Sequence, residues 1–144
     1  MQNMTTFSEY PPEPGRRIVT ASAGEGRHRV WGMAVSTGAG VTLTLAGGEA
    51  PHVGAVGVGV PRPSLADPER TSATSSVLTL TGHKDDVLAK PLAERVAACL
   101  GQVAVVTVGV HVDRASAEDI ALLSEHTRQV AERLLARLLE TEDM

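Results

Sequence analysis

The chain has 144 residues and a formal net charge of −4, with no basic stripe interleaved with aromatics, which argues against nucleic-acid binding. It is long enough for one domain with a proper core, built from Val, Ala and Leu because there is one Trp, one Tyr and one Phe. No apolar run approaches membrane-spanning length, no basic segment leads into an apolar one near Met1, and the single cysteine, Cys99, reads as a buried reduced thiol, so a cytoplasmic protein without membrane contact is expected.

Residues 1–15 are polar and proline-rich and read as a flexible arm ahead of one domain spanning 16–144. Ile18 to Ala23 is the first expected strand, closed by the turn Gly24-Glu25-Gly26. His28 to Val35 follows, with Arg29, Trp31 and Met33 on one face. Val41 to Leu45 comes next, with Val41, Leu43 and Leu45 inward. Three short strands on tight turns predict an antiparallel meander.

His52 to Val60 is expected as a strand that turns Val56, Val58 and Val60 one way and Ala55, Gly57 and Gly59 the other. A row of glycines weakens a strand and so asks for a reason. One is close approach of a flat ligand; the blander one is tight packing of a helix or a second subunit, which has the greater weight for each glycine alone. Pro61 to Ser75 is polar and turn-rich and reads as a long loop.

Ser76 to Leu100 organises the remainder. Alternation through Val77, Leu78, Thr79, Leu80 and Thr81 predicts a half-buried strand that stops at Gly82. Asp85 and Asp86 then open a helix with Val87, Leu88, Leu92, Val96 and Leu100 on an apolar stripe and Gly101 as its stop; Pro91 lies inside it, which is tolerable only if the helix starts close by or its first turn is kinked. His83 and Lys84 stand at this helix start, where unpaired backbone N–H groups suit an anion. Val103 to Val112 is nearly all apolar and is expected as a central strand covered on both faces. Ser116 with Asp119 forms a capping-box pattern, and Ile120, Leu123, Val130, Leu134 and Leu138 make the last helix amphipathic. The resulting fold class is α+β, a mainly antiparallel sheet of about five to six strands with two helices packed on one face.

Of the five histidines, His28 and His126 read as ordinary, while His52, His83 and His111 each fall at an end of a predicted strand. Antiparallel neighbours bring such ends together, and three imidazoles are a common shell for a divalent metal, with Asp113 placed to orient one or to ligate. There is no HExxH, no paired CxxC and no G-x-S-x-G elbow, and GAVGVGV runs into Pro61 rather than a helix, so it is no dinucleotide fingerprint. Without self-sufficient catalytic machinery, binding is the better class.

The blocks PHVGAVGVGVP (Pro51 to Pro61), TSSVLTLTGHKDDVLAKPLAERVA (Thr74 to Ala97) and VVTVGVHVDRASAEDI (Val105 to Ile120) resemble the LpdD-like proteins. These are the small D subunits found with gallate decarboxylase and related UbiD-type decarboxylases, and the resemblance runs from about Arg27 to the C-terminus. It implies a chaperone that binds prenylated FMN, a reduced product of flavin prenyltransferase matured by oxidation, and that serves its delivery or maturation. On that reading a divalent metal on His52, His83 and His111 ties the cofactor's phosphate to the protein, and Lys84 assists. Gly57 and Gly59 accept the flat ring; Ser75, Ser76 and Arg62 are expected as further cofactor contacts, which the resemblance itself does not assign. Expected partners are a UbiD-type decarboxylase, the flavin prenyltransferase and a second copy in a homodimer. The rivals are a structural decarboxylase subunit that never touches the cofactor, and a small metalloenzyme acting on a phosphate or phenolic substrate.

Overall fold

Alternation along the chain delivers the first half of the sheet as expected. In a computed structural model that describes residues 16–80 and 85–140, β1 (Arg16–Ala23), β2 (Val30–Thr37) and β3 (Gly40–Gly48) form an antiparallel meander, with a short 3₁₀ turn at Gly26–His28. Val30, Ala34, Leu43 and Leu45 point to one face and are fully buried. Those inward positions fix the register, because a slip of one residue would turn every one of them to solvent.

The second half departs from chain order. β4 (Ala55–Pro63) pairs with β5 (Thr71–Thr79), but β6 (Val103–His111) inserts between β3 and β4, giving the order β1-β2-β3-β6-β4-β5. β6 runs antiparallel to β4 and parallel to β3. The pair β5 and β6, joined through α1 (Asp85–Leu100), is therefore a parallel crossover that straddles β4. The sheet is six-stranded and mostly antiparallel, and with α2 (Ala117–Leu139) the fold is α+β.

Two of the boundaries that differ from expectation bear on the site. The stretch Pro61 to Ser75 is mostly strand, since β4 and β5 pair as far as Pro63 and Thr71, leaving Ser64 to Arg70 as the hairpin loop. His52 precedes β4 rather than beginning it.

Both helices lie on one face, α1 over β4, β5 and β6 and α2 over β1, β2 and β3. Leu88, Leu92 and Val96 of α1 and Leu123, Val130 and Leu134 of α2 supply the buried stripes, whereas Val87 and Ile120 are exposed. The α2 start is a full capping box: Ser116 accepts from the Asp119 amide and Asp119 accepts from the Ser116 amide. β6 is central, yet only its Ala104, Val106 and Val108 side is covered by helix; Val105 and Thr107 on the other side are half-buried. Among the described residues no helix is long and apolar enough to cross a membrane.

Candidate functional site

The strand ends that carry His52 and His111 do meet. The last residue of β3, Gly48, pairs with His111, and the chain then crosses over the end of β6 before entering β4. In that crossing the amides of Glu49 and Ala50 donate to the His111 carbonyl, that of His52 to Gly109, and that of Gly54 to Val108. The crossing depends on Gly109, where a Cβ would fall 1.5 Å from the His52 carbonyl oxygen. A bare backbone is needed there so that the loop can pass, which is one of the standard uses of glycine within a strand.

His52 turns its ring toward the start of α1. Its Nδ1 lies 2.8 Å from the Ala50 carbonyl, and its Nε2 lies 3.2 Å from Oδ2 of Asp85. Asp85 is buried, and its Oδ1 accepts the Val110 amide at 3.4 Å. Both ring nitrogens of His52 thus face oxygen atoms of the protein itself. Protonated, this ring can donate at both positions. As a metal ligand it would have to give one of them up.

His111, half-buried at the end of β6, places Nε2 at 2.9 Å from Oδ1 of Asp113. The Asp113 amide donates to Glu49, and Arg27 donates to the Asp113 carbonyl and pairs with Glu49 and Asp119. The same network continues to His28, whose Nε2 is 2.6 Å from Asp119. The Ser116 backbone amide above all, with His28 beside it, holds the Asp119 carboxyl down at about 2.

Beside His111 opens a cleft of about 350 Å³, lined by Leu88, Val110, Val112 and Ile120 with His111 and Arg114 among its polar members. Asp85 forms part of its wall, and Arg114 sits in the left-handed region at φ 53° in the turn that leads to α2. Apolar walls with a few convergent polar groups are what small-molecule sites are made of. Among the described residues no three His, Cys, Asp or Glu side chains stand together as a metal shell. His83 and Lys84, the remaining expected metal and phosphate contacts, lie outside the described residues.

The other expected cofactor contacts are elsewhere. Gly57 and Gly59 lie beneath α1: a Cβ on Gly57 would stand 2.4 Å from the Ala89 carbonyl oxygen, and one on Gly59 would stand 2.3 Å from that of Ala93. The helix, not a flavin ring, occupies the glycine face, so the packing reason is the one that the structure bears out. Ser75 faces the same helix and donates to Glu94 at 2.9 Å, while its neighbour Ser76 points to the opposite face and is exposed. Arg62 donates to Thr74 at the far end of β4, roughly 20 Å along the strand from the histidine end at about 3.3 Å per residue. These five residues do not converge with His52 and His111.

Asp85 and Arg114 were not singled out by the sequence as members of this site. Asp85 carries the helix-start signal that any first-turn acid gives. Arg114 follows Val112 and Asp113 just ahead of the Ser116 cap, a turn position whose only signal is its closeness to His111.

The sequence profile of the prenylated flavin chaperone LpdD-like domain matches residues 24–139. No curated protein matches the chain in sequence. Among solved structures, a chain from a chaperone complex for yeast 20S proteasome assembly superposes with a TM-score of 0.54 at 13% identity, over 85% of this chain and 98% of that one. That likeness is one of fold. The match over 24–139 takes in both helices, all of β2 to β6 and the whole histidine end of the sheet, and the chain belongs to the family of prenylated flavin chaperone LpdD-like domains.

Proposed function

We propose that the protein binds reduced prenylated FMN in the cleft beside His111 and hands it to a UbiD-type decarboxylase, acting as a homodimeric carrier rather than as a catalyst. The observation that carries this reading is the cleft itself, in a chain of this family. Its volume of about 350 Å³ lies within the usual range of small-molecule pockets, roughly 300–1,000 Å³, and its apolar walls suit a flat ring. Arg114 offers a guanidinium to a phosphate, a charge-assisted and potentially two-pronged contact. The start of α1 at Asp85 borders the same cleft, so a phosphate there would meet helix-start N–H groups. A divalent metal belongs to the finer part of this reading, held by the expected histidines His52, His83 and His111, with Asp113 placed 2.9 Å from His111 to orient it or to ligate. The chain's own contribution is to hold the cofactor by phosphate and ring and to keep water from it.

The test is anaerobic titration with reduced prenylated FMN followed by gel filtration, with and without chelator. Co-elution at about micromolar affinity or tighter is expected, weakened by His83→Ala and, if the metal takes part, by chelator. Failure to co-elute under every metal condition would remove the carrier reading and leave a structural decarboxylase subunit.

A further inference from the structure

The two edges of the sheet are built differently. At one edge, Arg133 and Arg137 of α2 reach over β1 and donate to the carbonyls of Ser22 and Thr20. Charge laid on an edge leaves no place there for an incoming strand, which is one way that natural sheets guard their ends. β5 forms the other edge without any such device. Its nine residues pair with β4 in unbroken register, so no bulge turns them aside, and from Thr71 to Thr81 the sequence has no charge and no proline. Among the described residues its outer backbone row has no hydrogen-bond partner. The Leu80 amide donates to the Gly54 carbonyl, and alternation along the same register bonds Leu78 and Ser76 to β4 while Thr79, Val77 and Ser75 turn their N–H and C=O groups outward. Proline in β4 agrees with that phase: Pro61 stands opposite Ala73, in a pair where β5 asks β4 for no N–H. Flanking the outward row, Val77, Leu78 and Leu80 are exposed at 36, 63 and 54%. A bare backbone row between apolar side chains is a template for one more strand.

We infer that the β5 edge docks an extended, uncharged segment of the enzyme that receives the cofactor, added to the sheet as a further strand. The inference rests on the carrier reading above. Its support is the position of the edge. The Leu80 end of β5 bonds to Gly54, Gly54 leaves no room for a Cβ beside the Asp85 carboxylate, and Asp85 lines the cleft. A strand added along Val77 to Leu80 therefore ends beside the cleft, and docking and transfer use one end of the molecule. Apolar residues of that segment would cover Leu78 and Leu80, while its main chain satisfies the outward row. A second copy fits the edge poorly. Twofold pairing along the whole strand centres on Ser75 and sets Leu78 against Ser72. It also brings together the Glu94 carboxylates that accept from Ser75 in each copy, a juxtaposition of like charges.

The test is amide hydrogen exchange of the full chain, alone and with its cofactor-free UbiD-type decarboxylase, together with the affinity of that complex for Val77→Lys and Thr79→Pro. Both positions are exposed, and proline at 79 removes only an outward N–H, so the ladder to β4 is kept. Reduced prenylated FMN is titrated against each variant in parallel. The amides of Ser75, Val77 and Thr79 are expected to exchange fast in the protein alone and to become protected in the complex. Each variant is expected to weaken the complex about tenfold or more, as loss of an edge hydrogen bond does, while binding the flavin as the wild type does. Protection of these amides in the protein alone that deepens with its concentration overturns the inference and gives the edge to a second copy. A complex that withstands both variants, or no complex at all, overturns it as well. Loss of flavin binding in the wild type, with the β5 amides still protected by the enzyme, removes the carrier reading and leaves the docking edge in place.

Discussion

Asp85, the first residue of α1, is 3% exposed and holds its Oδ2 3.2 Å from Nε2 of His52, a residue that has not yet entered β4. Its other oxygen takes the amide of Val110 near the end of β6. One carboxylate therefore holds a helix start, an incoming loop and a strand end together, and the helix start and the strand end line the candidate cleft.

Removing this carboxylate should cost stability. Leaving a buried polar group without its partner costs about 1–3 kcal/mol, and Asp85→Ala, which takes the acceptor from the Val110 amide and the contact from His52, should cost about that much. Urea denaturation of Asp85→Ala, His52→Ala and the double variant measures it. The double variant should lose clearly less than the sum of the singles, since the second deletion removes a partner already gone. Strict additivity would mean that the two side chains do not work as a pair.

The glycines of β4 give a second expectation, one that separates packing from ligand binding. Alanine at position 57 or 59 sets a methyl against a helix carbonyl of α1 at 2.4 or 2.3 Å, and backbone on both sides leaves little room to yield. Gly57→Ala and Gly59→Ala should each destabilise the fold by about 1–3 kcal/mol or more. Flavin affinity, measured on the fraction that remains folded, should be unchanged. A loss of affinity with full stability would return the ring to this face.

How much of this was legible in the sequence follows from which forces are local. Alternation in Val41 to Leu45 and the Ser116–Asp119 pair specify a strand and a helix start by neighbouring residues alone, and both came through. The pairing of β6 with β3 is not local: no residue in Val103–His111 declares that it inserts between two strands met earlier in the chain. For the same reason the histidine end was half-readable. Strand-end placement brought His52 and His111 to one edge, but the group that His52 faces is Asp85, whose position at a helix start already had a sufficient explanation. The polar, turn-rich composition of Pro61 to Ser75 concealed part of an edge strand, on which the neighbours Ser75 and Ser76 point to opposite faces.

Acid stability should carry the mark of Asp119. Its carboxyl is held at about 2, first by the Ser116 amide and then by His28, below the ~3.9 of an unfolded chain. A depressed folded value means that the unfolded state takes up the proton first, so the stabilisation is whole above about pH 4 and is lost as pH falls toward 2. Asp119→Asn should therefore lower the melting temperature at neutral pH and narrow its gap from the wild type between pH 4 and 2. A gap constant over that window would mean that the residue contributes through packing and not through its charge.

The proposed cofactor site makes the sharpest separation between two arginines. Arg114 borders the cleft beside His111, whereas Arg62 bonds to Thr74 at the opposite end of β4. A charge-assisted contact to phosphate contributes about 1.5–3 kcal/mol, so Arg114→Asn should weaken reduced prenylated FMN by roughly tenfold to a hundredfold. Asparagine is the substitution of choice because it tolerates the left-handed backbone at φ 53°, so the loss reads the guanidinium and not the turn. Arg62→Ala should leave the titration unaltered. Anaerobic absorbance titration of both variants decides the matter: equal affinities for wild type and Arg114→Asn would move the phosphate away from this cleft, and a loss confined to Arg62→Ala would place it at the β4–β5 hairpin instead.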